Sequence, residues 1–226
     1  MNLKVGITRF WGTNCDADVK KWVTNSAFDH HLVKQVQATY LSSEDHFRVQ
    51  DYDLVIIPGG FSYGDYLRSG ALAAQTAVMK SVHEFSQKGR PVLGICNGFQ
   101  ILCEAGLLPG ALLKNQSMRF QDQWVKVRVQ NEYVGLTHPI AARLKKNQVL
   151  QLPIAHGDGR YYADFETLQK MQEQGQIWLT YEKNPNGSVM DIAGITNATR
   201  NIFGLMPHPE RALVDWMGSV DGVHFL

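Results

Sequence analysis

A cysteine, a histidine and a glutamate stand in two short stretches of the sequence whose patterns suit covalent catalysis. Cys96 lies in GICNG, a glycine–x–nucleophile–x–glycine pattern with cysteine in place of serine. His208 lies in MPHPE, between two prolines and two residues before Glu210. A thiolate nucleophile needs a base, and the base needs a group that orients it. The two stretches therefore offer a candidate nucleophile, base and orienting carboxylate.

The residues on either side of Cys96 match those that a sharp strand-to-helix turn requires. RPVLGI predicts a buried strand before the cysteine, and NGFQILCEAG predicts a helix after it that ends at Gly106. The flanking glycines permit a tight turn, which would place the sulfur at the N-terminus of the helix, where the backbone dipole favours a thiolate. The same pattern also fits a small buried residue at a strand end, and local sequence does not decide between the two.

The prolines around His208 restrict where its ring can swing, because each proline fixes one backbone angle. If the chain stays extended there, residues two apart point to the same side, so Glu210 could accept a hydrogen bond from the His208 ring. A loop with a surface ion pair is the alternative. Of the other histidines, His30, His31, His46 and His83 are expected to face solvent, His138 lies before a proline in a loop, and His224 is close to the C-terminus.

A third stretch, IIPGGFSYGDY, places Gly59 and Gly60 directly after an apolar strand. Ligands of open parallel sheets bind at the carboxyl ends of the strands. If this strand neighbours the one before Cys96, the N–H groups of Gly59, Gly60 and Asn97 could hold an oxyanion. An ordinary turn at the strand end is the other interpretation.

The remaining cysteines are expected to be structural, with a reactive role as the alternative for Cys15. Cys103 lies on the predicted helix among leucines, which favours packing. Cys15 is followed by Asp16 and Asp18, whose charges would disfavour a thiolate. Three widely spaced cysteines predict neither a disulfide framework nor a metal site, and they favour a reducing cytoplasm.

The order of predicted elements indicates an α/β fold with a parallel sheet. Strands and helices alternate over the first ~110 residues, as in right-handed crossover units. The second half contains shorter strands separated by turn clusters, and no linker or repeat divides the chain, so residues 1–226 are expected to form a single domain. The predicted strands are 3–10, 31–37, 52–57, 90–95, 124–130 (an edge or half-exposed strand), 148–156, 177–182, 189–197 and 201–206, and the predicted helices are 16–25, 69–89, 97–106 and 163–175.

Composition excludes several classes of function. Hydrophobic residues make up 44% of the 226 residues and charged residues 19%, with a formal net charge of +1. That balance predicts neither a nucleic-acid-binding nor an anionic-membrane surface. Lys4 and Arg9 interrupt the first apolar stretch, which argues against a signal peptide, and no apolar run approaches the ~20 residues that span a bilayer. We expect a cytoplasmic protein.

Several stretches together resemble the class I, triad-type glutamine amidotransferases. They are PGGFSYGDYLRSGALAA, GICNGFQIL, PIAHGDG, NPNGS, AGITN and GLMPHPER, in this order, and the resemblance runs from Leu3 to about Arg211. Within the class, the sequence is most similar to glutaminase subunits that serve purine biosynthesis. The resemblance implies an open, mostly parallel, flavodoxin-like sheet with helices on both faces.

The resemblance also implies roles for individual residues. Cys96 would be the nucleophile, His208 the general base and acid, and Glu210 its orienting group. The backbone of Gly59, Gly60 and Asn97 would form the oxyanion hole. Gln100, His156 and Gly157 would lie near the bound glutamine. Two positions depart from the family pattern: Trp11 stands where proline is expected, and FQDQWV lacks a cysteine before its tryptophan.

Members of this class hydrolyse L-glutamine and pass ammonia to a second active site. The chain has no G-x-x-x-x-G-K-[ST] loop, so the resemblance implies a separate ATP-dependent synthetase chain and a small third subunit. No cofactor is expected here, because ATP and Mg²⁺ would bind the synthetase. Three alternatives remain: a DJ-1-like or peptidase-like cysteine protein, a stand-alone γ-glutamyl hydrolase, and a binding module without activity. The histidine–carboxylate pair in MPHPE argues against the first, and the presence of all three catalytic side chains against the last.

Overall fold

The computed structural model describes residues 2–25, 35–133 and 140–226. The predicted strand segment 31–34 and three histidines, His30, His31 and His138, lie outside these residues. The strands are β1 (Asn2–Arg9), β2 (Gln35–Ser42), β3 (Leu54–Ile57), β4 (Val92–Ile95), β5 (Ala111–Leu113), β6 (Gln121–Val129), β7 (Val149–His156), β8 (Arg160–Tyr162), β9 (Ile177–Tyr181), β10 (Ile192–Thr196) and β11 (Ile202–Leu205). The α-helices are α1 (Asp16–Asn25), α2 (Ala77–Gln87), α3 (Asn97–Glu104) and α4 (Phe165–Glu173).

One nine-stranded sheet organises the described residues, in the order β2-β1-β3-β4-β11-β10-β9-β6-β7. The pairs from β2 to β11 are parallel, and those from β11 to β7 are antiparallel. All four residues of β3, of β4 and of β11 are buried, as in parallel strands that are covered on both faces. The α/β fold class is therefore confirmed, and the carboxyl ends of β3, β4 and β11 lie side by side.

Two predicted elements differ from those observed. Helix α2 begins at Ala77 rather than near Ser69, after a single 3₁₀ turn at Ala73–Gln75. Gly70 has φ +86°, and a Cβ there would lie 2.8 Å from the backbone nitrogen of Ile101, so this segment packs its backbone against α3 instead of coiling. Strand β6 is half-exposed, as predicted, but it is not an edge strand, because it pairs with β7 and with β9.

A large aromatic cluster ties the antiparallel half to the C-terminal segment. Trp178 of β9 makes edge contacts with Phe203 of β11 and with Phe225, at ring-centroid distances of 5.0 and 5.6 Å. Trp22 of α1 donates its indole N–H to the carbonyl oxygen of Gly222 at 3.1 Å. These contacts hold the segment that follows β11 against the sheet. Among the described residues, no helix combines the length and hydrophobicity needed to cross a membrane.

The glycines on either side of Cys96 are needed because helix α3 packs closely against strands β3 and β4 there. A Cβ on Gly98 would collide with the carbonyl oxygen of Ile57 at the end of β3, and one on Gly94 would collide with Leu102 and with the Gly98 carbonyl. Helix α3 can therefore press against β3 and β4 only when both positions lack a side chain.

Gly98→Ala is expected to lower the free energy of unfolding by about 3 kcal/mol, because the added methyl group must push α3 away from β3. Gly157→Ala serves as the control, since the nearest atom to its added Cβ is a carbon of Phe120 at 3.9 Å. Its effect should stay within about 0.5 kcal/mol. Urea denaturation of both variants measures the difference, and equal stability of the two would contradict this account of the packing.

Candidate active site

Cys96 occupies the turn between β4 and α3 in a strained backbone conformation. Its φ is 51° and its ψ is −105°, a region that non-glycine residues rarely adopt. The backbone N–H of Cys96 donates to the Leu205 carbonyl of β11 at 2.8 Å, and its Sγ lies 3.7 Å from the carbonyl oxygen of Ala155. The strand-to-helix turn expected around this cysteine is confirmed, and Cys96 is 5% exposed.

His208 and Glu210 form a buried hydrogen-bonded pair directly after β11. The Nδ1 atom of His208 lies 2.7 Å from Oε1 of Glu210, and each residue is 2% exposed. The sequence argument for this pairing assumed that the chain stays extended after His208. It does not, because residues Pro209–Arg211 form a 3₁₀ turn. That turn still brings the carboxylate to the ring. A neutral His208 that donates from Nδ1 leaves Nε2 as the basic nitrogen.

The three candidate catalytic side chains belong to neighbouring strand ends, because β11 lies beside β4. The packing around Gly59, at the end of β3, shows how closely they converge. A Cβ on Gly59 would lie 2.8 Å from Cε1 of His208 and 3.4 Å from Cβ of Cys96. Burial alone would lower the pKa of His208, but the charges of Glu210 and Cys96 outweigh it and raise that pKa well above the ordinary value. The Glu210 carboxylate therefore stabilises the charged form of the His208 ring.

The candidate oxyanion loop is clamped to the loop that follows β1. The Cys15 N–H donates to the Gly59 carbonyl at 3.3 Å, and the Phe61 N–H donates to the Gly12 carbonyl at 3.0 Å. Gly60 has φ +148°, and a Cβ there would lie 2.8 Å from the backbone nitrogen of Asn14. Asn97 is the first residue of α3, and the first N–H groups of a helix have no partner within it. Both predicted donor segments thus border Cys96.

The residues predicted to contact glutamine lie on α3 and around the end of β7, where the Ala155 carbonyl oxygen is 3.7 Å from the Cys96 sulfur. The side-chain amide of Gln100 donates to the Asp158 carbonyl and accepts from Asn97 at 2.8 Å. His156, at the end of β7, is 3% exposed, and burial lowers its pKa to about 4, so its ring is neutral at physiological pH. Gly157 accepts a backbone hydrogen bond from Asn115 at 2.8 Å.

Two buried asparagines that the sequence argument did not identify form hydrogen bonds with the HGDG loop, residues 156–159. The Asn115 amide donates to the His156 carbonyl at 2.8 Å, while its Oδ1 lies 3.1 Å both from His156 Nδ1 and from the Gly159 N–H. Asn186 of the NPNGS stretch donates to the Gly159 carbonyl at 2.8 Å. The turn-forming composition of NPNGS did not indicate that this stretch lies beside the HGDG loop. Once the fold is known, a buried polar side chain in a turn does indicate such a contact, because it needs a hydrogen-bond partner.

Asp65 and Asp158 form a pair of like charges next to Asn97 and Gln100. Asp158 accepts from the Ser69 hydroxyl at 2.8 Å, and the Asn97 amide lies 3.5 Å from an Asp65 oxygen. Burial and the Asp158 charge raise the pKa of Asp65 to about 6. Neither carboxylate forms a salt bridge with a lysine or arginine of the described residues.

The other cysteines have different surroundings. Cys103 packs against the core, and burial strongly raises the pKa of its thiol, which agrees with a packing role. Cys15 is buried beside His208, and its sulfur lies 3.2 Å from a guanidinium nitrogen of Arg211. Contrary to the prediction, the neighbouring aspartates are not the main influence on the Cys15 thiol, because the Asp18 carboxylate forms an ion pair with Arg211 at 3.1 Å. Burial is instead the main reason that the pKa of Cys15 is raised.

The remaining described histidines and a cavity near α4 show no link to Cys96. His46 and His83 are exposed, as predicted, and His224 is partly buried. A cavity of about 400 Å³ between β6, β9 and α4 is lined by Asn131, Met171 and Gly175, among others, and by no cysteine or histidine. The catalytic candidates are therefore identified by their chemistry and convergence rather than by cavity size.

Comparisons with known proteins are consistent with this arrangement. Residues 2–222 match the CobB/CobQ-like glutamine amidotransferase domain. Phosphoribosylformylglycinamidine synthase subunit PurQ of Aquifex aeolicus is 49% identical over 98% of this chain and 96% of its own. The solved structure of PurLQS from Thermotoga maritima contains a chain that is 38% identical, with a TM-score of 0.83 over 100% of this chain and 96% of that one. A Thermotoga maritima glutamine amidotransferase that is 18% identical shares the fold, with a TM-score of 0.60 over 93% of this chain and 77% of its own.

Asp65→Asn is expected to stabilise the protein at pH 7.5. Because the folded state raises the pKa of this acid, it binds more protons than the unfolded state between about pH 4 and pH 6, and stability is lost as the pH rises through that window. Removing the charge should recover about 1 kcal/mol at pH 7.5, a value reduced for partial solvent screening, and almost nothing at pH 4.

Urea denaturation at both pH values tests this expectation. Asp51→Asn is the control, because hydrogen bonds from Arg48 lower the pKa of Asp51 and its removal should not stabilise the protein. A loss of stability at pH 7.5 in Asp65→Asn would show that the charge of Asp65 is favourable in the folded state.

Proposed function

We infer that this chain, which belongs to the CobB/CobQ-like glutamine amidotransferase family, is the glutaminase subunit of phosphoribosylformylglycinamidine synthase. It hydrolyses L-glutamine and supplies ammonia to a synthetase that converts formylglycinamide ribonucleotide to formylglycinamidine ribonucleotide. The observation that carries this proposal is the convergence of Cys96 with a buried His208–Glu210 pair, in a chain that is 49% identical to a PurQ subunit.

The first half of the reaction is acyl transfer to Cys96. The Cys96 proton passes to Nε2 of His208, and the sulfur attacks the side-chain amide carbon of glutamine. Backbone N–H groups of Gly59, Gly60 and Asn97 stabilise the oxygen that becomes negative. His208 then returns the proton to the departing nitrogen, and ammonia leaves a γ-glutamyl thioester on Cys96.

The second half is hydrolysis of that thioester. Water loses a proton to Nε2 of His208 and attacks the same carbon, which releases glutamate and restores the thiol. Glu210 orients the ring through Nδ1 and stabilises its charged form in both halves, which agrees with the raised pKa of His208. Gln100, His156 and Gly157 border the space in which the substrate must lie.

The ammonia must reach a second active site before water protonates it. The Thermotoga relative is found in a solved structure of PurLQS, and on that likeness we assign this chain a synthetase partner and a small third subunit. The chain acts as a single glutaminase domain without a cofactor of its own, and ATP and Mg²⁺ bind the synthetase. A stand-alone γ-glutamyl hydrolase would use the same acyl chemistry, but the likeness to PurQ and PurLQS chains disfavours it. The family match likewise disfavours a DJ-1-like protein.

An apolar rim of exposed side chains is the surface that we assign to the synthetase. It consists of Trp11, Phe61, Met118 and Phe120, which are 79%, 45%, 71% and 53% exposed. Phe61 lies in the oxyanion loop and contacts Phe120 at a ring-centroid distance of 6.4 Å, and Phe120 is the nearest side chain to Gly157. The rim therefore borders the two loops that surround the substrate. A partner that binds this rim would bury its apolar side chains and would at the same time alter the active site.

Cys96→Ser is expected to abolish glutamate release by at least about 10⁴-fold, because a hydroxyl in this site is a far weaker nucleophile than the thiolate. Cys103→Ser is the matched control and should keep wild-type activity. Labelling with diazo-oxo-norleucine, followed by peptide mapping, should place the adduct on Cys96. An adduct on Cys15 or Cys103 with Cys96 unmodified would overturn the assignment.

Trp11→Ser combined with Phe120→Ser is expected to weaken the synthetase complex by roughly tenfold or more, as loss of buried aromatic anchors typically does. Glutamate release that depends on added synthetase should fall in parallel, while the activity of the isolated chain stays unchanged. Val149→Ser is the control, because Val149 is 40% exposed at the opposite end of β7 from His156, about 23 Å away. Unchanged affinity in the double variant would place the partner elsewhere.

A further inference from the structure

Cys15 takes no part in the reaction derived above, yet it lies beside the catalytic pair. The sulfur of Cys15, a ring nitrogen of His208 and a carboxylate oxygen of Glu210 are all within 4.8 Å of one another, and the three residues are buried. Cys15 precedes α1, and the other two follow β11, so tertiary structure alone brings them together. A thiolate, an imidazole and a carboxylate are the ligand types that Zn²⁺ binds in proteins.

The cluster also has unused capacity for a ligand. Oε2 of Glu210 is buried and has no hydrogen-bond partner among the described residues. A buried polar atom normally has a partner, so this oxygen marks a place where another atom can bind. The Cys15 sulfur lies 3.2 Å from an Arg211 guanidinium nitrogen, and Asp18 balances that guanidinium on its outer side.

We propose that Cys15, His208 and Glu210 form a site for a thiophilic divalent cation of the Zn²⁺ class, and that its occupancy switches off the glutaminase. The metal takes the position of the proton between Nδ1 of His208 and Glu210, with the Cys15 sulfur as its third ligand. Three protein ligands leave one open position of a tetrahedral site. The inhibitory consequence rests on the proposed function, whereas the binding does not.

The exchange balances in charge and in protons. The Cys15 thiol, which burial keeps protonated, releases one proton to solvent when the metal binds. Metal binding at Nδ1 displaces the proton held there to solvent, and the ring keeps one proton, on Nε2, so the metal-bound ring is neutral. A thiolate and a carboxylate then neutralise the two positive charges of the ion. With Nε2 protonated, His208 can no longer accept the Cys96 proton, and acylation stops.

Cobalt absorption tests the binding without using activity. Co²⁺ added to the Cys96→Ser variant should produce a thiolate-to-metal charge-transfer band, because Cys15 remains, and the Cys96→Ser/Cys15→Ser double variant should lack it. The Cys96→Ser/Cys103→Ser variant is the matched control and should keep the band. Loss of the band in Cys96→Ser alone would show that the nucleophile is the metal's thiolate, and the proposal would be wrong.

Zinc inhibition of glutamate release provides the second readout. Zn²⁺ should inhibit the wild-type chain, and Cys15→Ala should raise the concentration for half inhibition by at least 10- to 100-fold, roughly the loss seen even when a partner of a metal ligand is altered. Each variant is compared with its own zinc-free rate, and Cys103→Ala should behave as wild type. Equal zinc sensitivity in Cys15→Ala would overturn the proposal. If Cys15→Ala does not fold, the cobalt spectra decide alone, and a failed glutaminase assay leaves them unaffected.

Discussion

The backbone of Cys96 is held at φ 51° and ψ −105°, which costs on the order of 1–3 kcal/mol for a residue with a side chain. The surrounding structure maintains it through the hydrogen bond from the Cys96 N–H to Leu205 and through the contact of Gly98 with β3. Both depend on the order of strands β3, β4 and β11 in the sheet. The strained turn, the glycines that permit it and the neighbouring strand that carries the proposed base therefore form one unit.

The proposed catalytic residues meet over Gly59 because β3, β4 and β11 are neighbours in the sheet. Three parallel strands end at the same edge of the sheet, and each contributes one component: the Gly59–Gly60 loop, the proposed nucleophile Cys96, and the histidine–glutamate pair. The antiparallel half supplies the opposite wall through His156, at the end of β7. The proposed catalytic residues thus lie where the two halves of the sheet meet. Hydrogen bonds from Asn115 and Asn186 hold the loop that follows β7.

Local sequence was sufficient for much of this arrangement. The carboxyl ends of β3 and β4 and the start of α3 match the prediction, and the pairing of His208 with Glu210 follows from spacing, although through a 3₁₀ turn rather than an extended chain. The family resemblance, rather than periodicity, distinguished a nucleophile from a packing residue at Cys96. The order of the strands in the sheet could not be predicted, since nothing in the residues of β11 indicates that it inserts between β4 and β10. For the same reason, the proximity of Cys15 to His208 and the repulsion between Asp65 and Asp158 emerged only from the fold.

The insertion of β11 beside β4 has a consequence for the order of events during synthesis. The ribosome delivers Cys96 and its elbow more than a hundred residues before it delivers His208 and Glu210. Until that last strand joins the sheet, the Cys96 N–H lacks its acceptor on Leu205 and the thiol lacks its proposed base. The strained turn and the proposed catalytic pair are therefore completed by the same event, and a nascent chain gains the ability to consume glutamine only when the sheet is complete.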